Sequence, residues 1–399
     1  LGDVYKRQVY MSITIHKCLS EVVVREIKRI ATKPMYLFCM VIAPVLSFIF
    51  FSTLMNEGLP TNLPSGVVDL DNTSVTRNII RNLDAFQQTQ VVKHYSSFDD
   101  ARQAMQRGEI YSFYYIPEGT TEKAISSKQP RVSFYTNNAY LVAASLLYKD
   151  QRMMSELASA AIGQSTLLAK GATERQALAF LQPIVIDTHA ISNPWLNYSI
   201  YLCNTIFPGI LMLLIFLTTS YTLGTEIKDN TAHDLMEKAD QSIITAIVGK
   251  LLPQSMFFFI MAIFYNVYLY GYLHYPCHSG ILPMILISMA LVLASQAIGV
   301  LFFGIFGSLR LALSAGSLWG VISFSISGFT FPVMAMHPTL QALSNLFPLR
   351  HYFLLYVNLA LNGYPIIYAW HSVVALLIFM LLPFFVLKRI RTVMTQYAV

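Results

Sequence analysis

Charged residues are scarce in this sequence. They make up 12% of its 399 residues, about half of the ~25% that is typical of soluble domains. The scarcity is uneven, because residues 56–195 hold 12 Lys/Arg and 13 Asp/Glu, whereas the other 259 residues hold only 15 and 8. A polar segment inside a nearly uncharged chain excludes one large soluble domain. It predicts a membrane protein with an extramembrane insert.

Cysteines and catalytic motifs are also sparse. None of the four cysteines lies in residues 56–195, which excludes a disulfide framework there. The sequence has no Gly-x-x-x-x-Gly-Lys-[Ser/Thr] loop for ATP phosphates, no Gly-x-Ser-x-Gly elbow and no His-Glu-x-x-His motif. We therefore predict no catalytic residues, no metal site and no cofactor bound by the chain itself. The cations lie beside hydrophobic runs, so a nucleic-acid partner is not expected.

Six hydrophobic runs are long enough to cross a bilayer as helices, which takes about 20 apolar residues each. They contain no Asp, Glu, Lys or Arg. The runs are Tyr36–Leu54, Ile200–Leu223, Leu251–Leu273, Ile281–Phe306, Leu311–Met336 and Ile366–Leu387. The absence of ionisable residues argues against proton antiport and against intramembrane acid–base chemistry. It suits the passage of an amphipathic or apolar substrate.

The positive charges predict how the helices are oriented. Lys and Arg flank the first span at its N-terminal end and the last span at its C-terminal end, and they also lie between spans 2 and 3, whereas residues 271–280 carry no charge. Because cytoplasmic loops are enriched in cations, we expect both termini to be cytoplasmic and residues 56–195 to be external.

The N-terminal region, residues 1–35, combines a leader with an amphipathic segment. We interpret residues 1–10 as a non-native leader before Met11. In Ser20–Lys33 apolar residues recur near helical spacing among charges, and Pro34 then interrupts the helix. This pattern predicts an amphipathic helix on the inner membrane surface. A solvated leader to span 1 (36–55) is the alternative.

Residues 56–195 alternate between strand and helix signals, which predicts an α/β domain with a partly parallel sheet. Asp69, Asp71 and Asn72 cluster at the end of its first predicted strand, where α/β sheets bind ligands. A turn and helix N-cap built from Asp71, Asn72 and Ser74 is the preferred interpretation. The predicted fold is thus an α-helical polytopic membrane protein with six transmembrane helices and an inserted α/β extracytoplasmic domain. Residues 196–391 carry spans 2–6, and 392–399 form a cytoplasmic tail.

Two stretches resemble the permeases of ABC-2-type transporters. The first is Leu223-Gly224-Thr225-Glu226-Ile227-Lys228-Asp229-Asn230-Thr231, followed by Gly249-Lys250 before span 3. The second is Ser327-Gly328-Phe329-Thr330-Phe331-Pro332 with Leu346-Phe347-Pro348-Leu349-Arg350. The resemblance covers about 20–391, and the large insert after span 1 is similar to the drug-exporter-like branch. The expected Thr-Pro later in the loop is replaced by Ala239-Asp240.

The resemblance implies a transport subunit of a bacterial cytoplasmic (inner) membrane, with no nucleotide site of its own. Its expected partners are an ABC ATP-binding subunit, a second permease (the same chain or a related one), membrane lipid and a periplasmic adaptor. A cytoplasmic coupling loop, 224–250, would contact the ATPase. The residues expected to couple are Arg25, Glu26, Gly224, Thr225, Glu226, Lys228 and Asp229. ATP-driven closure would then switch the bundle from inward to outward access and export a lipid-like substrate or drug.

Prolines between spans 5 and 6 predict an external re-entrant segment, 335–365, because irregular backbone near lipid needs protein around it. We expect this segment to gate the exit. The predicted gate and substrate path comprise Asn204, Phe329, Phe331, Pro332, Met334 and Phe347.

Two other functions remain open on the sequence. One is a membrane-anchored receptor or scaffold whose external domain binds a ligand, although six spans exceed what anchoring needs. The other is a membrane-embedded enzyme, for which His337, Arg350 and His351 are the external candidates. These three residues lack a carboxylate neighbour in sequence, so the enzyme ranks last.

Overall fold

The structure, a computed structural model, describes residues 2–126, 128–189, 192–194 and 196–396, with side chains from residue 16 onward. Two compact units are present. One combines the N-terminal region to Asn56 with the chain from Ala190 onward, and the other is Glu57–His189.

Six helices of the first unit are long and apolar enough to cross a membrane, as judged by length and composition. They are Pro34–Leu54, Tyr198–Lys228, Ile243–Tyr272, Ile281–Phe306, Leu309–Ile326 and Ile366–Gln396, called spans 1 to 6. The prediction of a polytopic helical membrane protein is confirmed. Several of the predicted boundaries change. Spans 2 and 3 extend into charged sequence and include Glu226 and Lys250, and the last span continues to Gln396 through most of the predicted tail.

A long helix precedes span 1, and short helices lie between some of the spans. The N-terminal helix, Gly2–Thr32, ends before Pro34, whose ring disfavours helical backbone at Lys33 (φ −99°, ψ 115°). One short helix, Ala232–Lys238, lies between spans 2 and 3. Three more lie between spans 5 and 6: Val333–Ala335, Pro338–Ser344 and Pro348–Tyr356.

Span 5 ends earlier than its hydrophobicity predicts. The expected limit was Met336, but the helix stops at Ile326. Gly328 takes a φ of +105°, a backbone conformation that residues other than glycine rarely adopt, and Pro332 follows. Apolar residues therefore continue past the point where the backbone leaves the helix. Hydropathy alone cannot mark such an end.

π-Helical turns interrupt two of the spans. Phe38–Ile42 in span 1 precedes Pro44, and Val267–Tyr272 closes span 3. Pro44 has no backbone N–H to donate, so a wider turn before it relieves the contact that a proline ring makes with the preceding helical turn. A third π-turn, Val357–Leu361, extends the helix that begins at Pro348.

The second unit is built on a four-stranded sheet. Its strands are β1 (Leu63–Asp69), β2 (Thr89–His94), β3 (Ser112–Ile116) and β4 (Ser133–Thr136), in the order β2-β1-β3-β4. β1 pairs in parallel with β2 and β3, and β4 is antiparallel to β3. The helices are α1 (Ser74–Asp84), α2 (Phe98–Gln106), α3 (Thr120–Ile125), α4 (Leu141–Ala169) and α5 (Glu174–Leu181).

Helices cover this sheet on both faces. Successive strand residues point to opposite faces, so Val67 packs with α1 and α4 residues while Val68 packs with α2 residues. The central strand β1 is thereby buried on both sides, which explains its run of apolar residues. The partly parallel sheet is as the sequence predicted.

The acidic cluster after β1 is a turn and cap. Asp69 accepts hydrogen bonds from the backbone N–H groups of Asp71 (3.1 Å) and Asn72 (3.0 Å). The N-cap of α1 is Thr73, which forms a reciprocal capping box with Thr76, and not Asp71, Asn72 or Ser74 as expected. The Asp71 carboxylate instead accepts bonds from Thr121. These bonds outweigh the effect of partial burial and hold its pKa below the usual value.

Two glycines at helix contacts provide a matched test of the packing. A Cβ on Gly209 in span 2 would lie 2.5 Å from the ring of Phe324, whereas one on Gly316 in span 5 would meet its nearest atom at 3.5 Å. We expect Gly209→Ala to cost about 1–3 kcal/mol through overpacking. Gly316→Ala should be neutral or slightly stabilising because alanine favours helix. Thermal unfolding in detergent, followed by a dye that reacts with the buried thiols of Cys39 and Cys203, measures both variants. Equal melting temperatures would contradict this packing.

Candidate functional site

One face of the N-terminal helix carries Val22, Arg25, Glu26 and Arg29, at the i, i+3, i+4, i+7 spacing that aligns side chains along a helix. Val22 and Glu26 are fully buried, and the helix packs against span 3. The helix includes nearly all of the predicted Ser20–Lys33 segment. Its charged face contacts protein within the same chain.

Glu226, near the end of span 2, receives the cations of that face. Its side chain is fully buried. Arg25 donates to both carboxylate oxygens in a fork, at 2.9 and 2.8 Å, and Arg29 Nη1 donates to Oε1 at 2.5 Å. Thr231 adds a hydroxyl donor to Oε2 at 2.5 Å. Bidentate arginine–carboxylate pairs are among the strongest hydrogen bonds in proteins.

Lys250 joins this pair to a second carboxylate. Its ammonium group is fully buried and donates to Glu26 Oε2 at 2.6 Å and to Glu226 Oε1. Glu26 Oε1 also accepts from Thr222 at 3.0 Å and from Gln254 Nε2 at 3.1 Å. Two buried carboxylates are thus satisfied around one ammonium group. This arrangement offsets the several kcal/mol that burying each ion costs.

A half-exposed rim surrounds the buried centre. Asp234 accepts from Arg25 Nε at 2.7 Å and pairs with Lys238, while Asp229 pairs with Arg29 and Lys33. Partial burial alone would raise the pKa of Asp234, but Lys238 and Arg25 hold it below its usual value. Partial burial likewise lowers the pKa of Arg25, and the Glu226 and Asp234 carboxylates more than reverse this effect. The rim keeps the ionised forms favoured.

We call the centre and rim together the ion-pair cluster. Its members are Arg25, Glu26, Arg29, Lys33, Thr222, Glu226, Asp229, Thr231, Asp234, Lys238, Lys250 and Gln254. It ties together the N-terminal helix, the end of span 2, the Ala232–Lys238 helix and the start of span 3.

Two glycines of the sequence motifs allow this close packing. A Cβ on Gly224 would lie 2.9 Å from the backbone Cα of Leu309 at the start of span 5. A Cβ on Gly249 would lie 2.8 Å from Val22 on the N-terminal helix. In the Gly249-Lys250 pair, the glycine therefore lets the N-terminal helix approach closely, and the lysine binds Glu26 on that helix.

The predicted coupling residues divide into buried and exposed groups. Glu26, Gly224, Thr225 and Glu226 are buried, whereas Lys228 and Asp229 lie at the surface. Glu226 was expected to offer its charge to a partner in the loop. The structure corrects this, because its carboxylate is enclosed and bonded within the chain.

The sequence did not predict that one site would include Arg29, Lys250, Thr222 and Gln254. The available signal was Lys250 itself, a cation that opens a long apolar run and must therefore find a buried anion. Its two anionic partners lie 24 and 224 residues away, and no local pattern connects them.

The predicted gate residues differ in burial. Phe329 and Phe347 are buried, and Phe347 stacks on Trp319 with ring centroids 4.5 Å apart. Phe331 and Met334 are 51% and 96% exposed, and Pro332 is also exposed. Two of the four apolar side chains are thus buried and two are exposed, and their role in one gate stays a prediction. The chain turns outward after Gly328 and returns at Phe347.

Asn204 is buried in span 2. Its Nδ2 donates to the Ile200 carbonyl one turn earlier at 2.9 Å, and its Oδ1 is buried without a partner. Within the part of the chain that the structure describes, no group of three or more His, Cys, Asp or Glu residues is placed to hold a metal ion.

Six apolar helices, two of which are tied to the N-terminal helix by a buried ion-pair cluster, define a multi-pass membrane protein. Comparison with known families matches residues 34–387 to the ABC-2 family transporter protein, which is most of the chain. The protein belongs to that family. Membership implies a membrane transport component that in general works with an ABC ATP-binding subunit. No curated protein matches the sequence.

Removing one cation tests the cluster. Lys250→Met removes the cation that is bonded to buried Glu26 and leaves Glu226 to Arg25 and Arg29, so we expect a loss of about 3–5 kcal/mol of stability. Lys238→Met, which removes a cation from a half-exposed pair, should cost less than about 1 kcal/mol. Adding Glu26→Gln to Lys250→Met should restore part of the loss. Thermal unfolding of the purified chain measures all three, and a harmless Lys250→Met would refute the central role of this ammonium group.

Proposed function

We propose that this chain is the permease subunit of an ATP-driven ABC exporter, which moves an amphipathic or lipid-like molecule, drugs included, out of the cytoplasm or the inner leaflet. The observation that carries the proposal is the ion-pair cluster within a chain of the ABC-2 family. The cluster joins the N-terminal helix to two spans through buried charges. A force applied there would move these elements together.

The proposed arrangement places the cluster and both termini in the cytoplasm of a bacterial cell, with the chain in the cytoplasmic (inner) membrane. The cations support this orientation because they gather at the ends of the spans that carry the cluster. The unit Glu57–His189 would then be external, where a periplasmic adaptor could reach it. Two permeases, identical or related, would pair with two ATP-binding subunits.

In this proposal the ATP-binding subunit contacts the exposed side of the cluster. With Glu226 enclosed, the accessible charges are Lys228 and the Ala232–Lys238 helix, whose Glu237 side chain is 75% exposed. Closure of the ATP-binding subunits would press on this surface. The buried ion pairs would transmit the movement to spans 2 and 3 and to the N-terminal helix, because separating them would expose unpaired charges.

Charge reversal on that surface tests the docking. The chain is purified in mild detergent from native membranes, and co-purifying ATP-binding protein is quantified by mass spectrometry. Glu237→Lys is expected to lower its recovery about tenfold, the effect of losing ~1.4 kcal/mol of binding. Glu118→Lys, the same change at an exposed position of the α/β unit, should leave recovery unchanged.

Two results would count against the proposal. A wild-type chain that purifies alone from membranes containing ABC ATP-binding proteins would favour the receptor or scaffold. Equal losses for Glu237→Lys and Glu118→Lys would show that the docking surface lies elsewhere. Thermal unfolding of each variant separates docking from folding.

The segment between spans 5 and 6 is proposed to gate the outer exit. Buried Phe347 would become accessible when the exit opens, while Met334 is exposed already. In a chain whose four native cysteines are replaced, Phe347→Cys should react with a water-soluble maleimide several times faster when ATP and the partner are present. Met334→Cys should react at one rate throughout. Rates independent of ATP at both positions would exclude a gate here.

A further inference from the structure

A groove of about 580 Å³ opens between spans 3, 4 and 6, a size within the range of small-molecule sites. It extends along span 3 from Ile244 to Phe259, about 22 Å at the helical rise. That is more than half of the ~30 Å hydrocarbon core of a bilayer. The ion-pair cluster residues are not among its lining residues.

The groove wall is almost entirely apolar. Its residues are Ile244, Ile247, Val248, Leu251, Leu252, Ser255, Met256, Phe259, Leu293, Gln296, Ala297, Val300, Met380, Pro383, Phe384 and Leu387. None of these residues is charged, so an ionic headgroup would find no partner here. A neutral, largely apolar molecule matches this surface.

Two polar side chains interrupt the wall. Ser255 Oγ lies 2.7 Å from Gln296 Oε1, and Gln296 is only 4% exposed. Gln296 Nε2 has no hydrogen-bond partner. Turning the amide over would exchange its two polar atoms and leave the oxygen open instead, so one atom of Gln296 lacks a partner in either orientation.

An unpaired amide is costly at this position, because bilayer hydrocarbon supplies no water to bind it. Gln296 lies ten residues before the end of span 4 at Phe306, about 15 Å along the helix axis. Its partner Ser255 lies between Ile244 and Phe259, so the amide is within the length of the groove, beside the body of a bound molecule. A polar group at one end of an acyl chain would remain near the membrane surface.

We infer that this groove binds a neutral, largely apolar molecule that carries one hydroxyl or carbonyl oxygen inside its apolar body, and that Gln296 recognises this oxygen. The oxygen accepts a hydrogen bond from Nε2, and a hydroxyl group can also donate to the amide oxygen. The inference concerns binding. It does not depend on docking of an ATP-binding subunit or on transport of the bound molecule.

Two matched photoactivatable probes test the inference on the full chain in lipid nanodiscs. One is a long-chain secondary alcohol with its hydroxyl group at mid-chain and a diazirine near one end. The other is the corresponding alkane with the same diazirine. We expect the alcohol to label peptides from 244–259, 293–300 or 380–387 roughly threefold to tenfold more than the alkane, as one hydrogen bond would produce.

Variants assign the effect to the groove. Gln296→Leu should make the two probes label equally. Val248→Trp, at a position in the wall that is 46% exposed, should fill the groove and reduce labelling by both probes several-fold. Ile260→Trp is the matched control, since Ile260 is 63% exposed on the same helix and is not among the lining residues. It should label like the wild type.

Three results would overturn the inference. They are equal labelling of the wild type by alcohol and alkane, cross-links that map outside the three peptides, and a Val248→Trp variant that labels like the Ile260→Trp control. Because the assay contains no ATP-binding subunit, failure here leaves the exporter proposal standing. Failure of the docking experiment likewise leaves this binding site standing.

Discussion

Lys250 is the residue on which the arrangement of the first unit most depends. Its ammonium group neutralises two carboxylates that reach it from different parts of the chain, Glu26 on the N-terminal helix and Glu226 on span 2. None of the three side chains is exposed to solvent. Loss of Lys250 would leave Glu26 as a buried anion without its cation, while Arg25 and Arg29 would still pair with Glu226. An isolated buried ion is much less favourable than the paired cluster. The three elements are therefore held in one relative position by charge as well as by packing.

The same dependence explains the small residues nearby. Buried ions gain from short distances, and short distances between helices require that no side chain separates them. Gly249 admits Val22, and Gly224 admits the start of span 5. In the motif Gly249-Lys250, one residue permits the close approach of helices and the next supplies the buried cation. This gives a physical account of a sequence feature that the resemblance alone only recognised.

Much of the fold could be predicted because its signals are local. The six apolar runs predict the spans, and alternation of strand and helix signals predicts the sheet of Glu57–His189, down to its parallel strands. Boundaries failed where chain geometry overrides composition. Span 5 stops at Ile326 although apolar residues continue, because Gly328 and Pro332 impose a turn. Spans 2 and 3 run on into charged residues, because those charges are paired and need not remain in water.

The candidate site was predictable only in part. Arg25, Glu26 and Glu226 were named from their motifs, but their partners lie about 200 residues apart in sequence. Sequence patterns reach a few helical turns, so they could not show that Glu226 faces inward. The different burial of the predicted gate residues was hidden for a similar reason. Phe331 and Met334 lie close to Phe329 along the chain. After the turn at Gly328, however, Phe329 is buried whereas Phe331 and Met334 are exposed.

The π-helical turn at Phe38–Ile42, which has helix on both sides, has a consequence for comparing this chain with its relatives. A π-turn holds one residue more than the α-helical turn it replaces, so the helix faces on its two sides are out of step by one position. A relative that lacks the bulge would be one residue shorter at that point and still present the same faces. A gap of a single residue inside span 1 is therefore to be expected in alignments. It would mark a local change in helical winding while the path of the helix is retained.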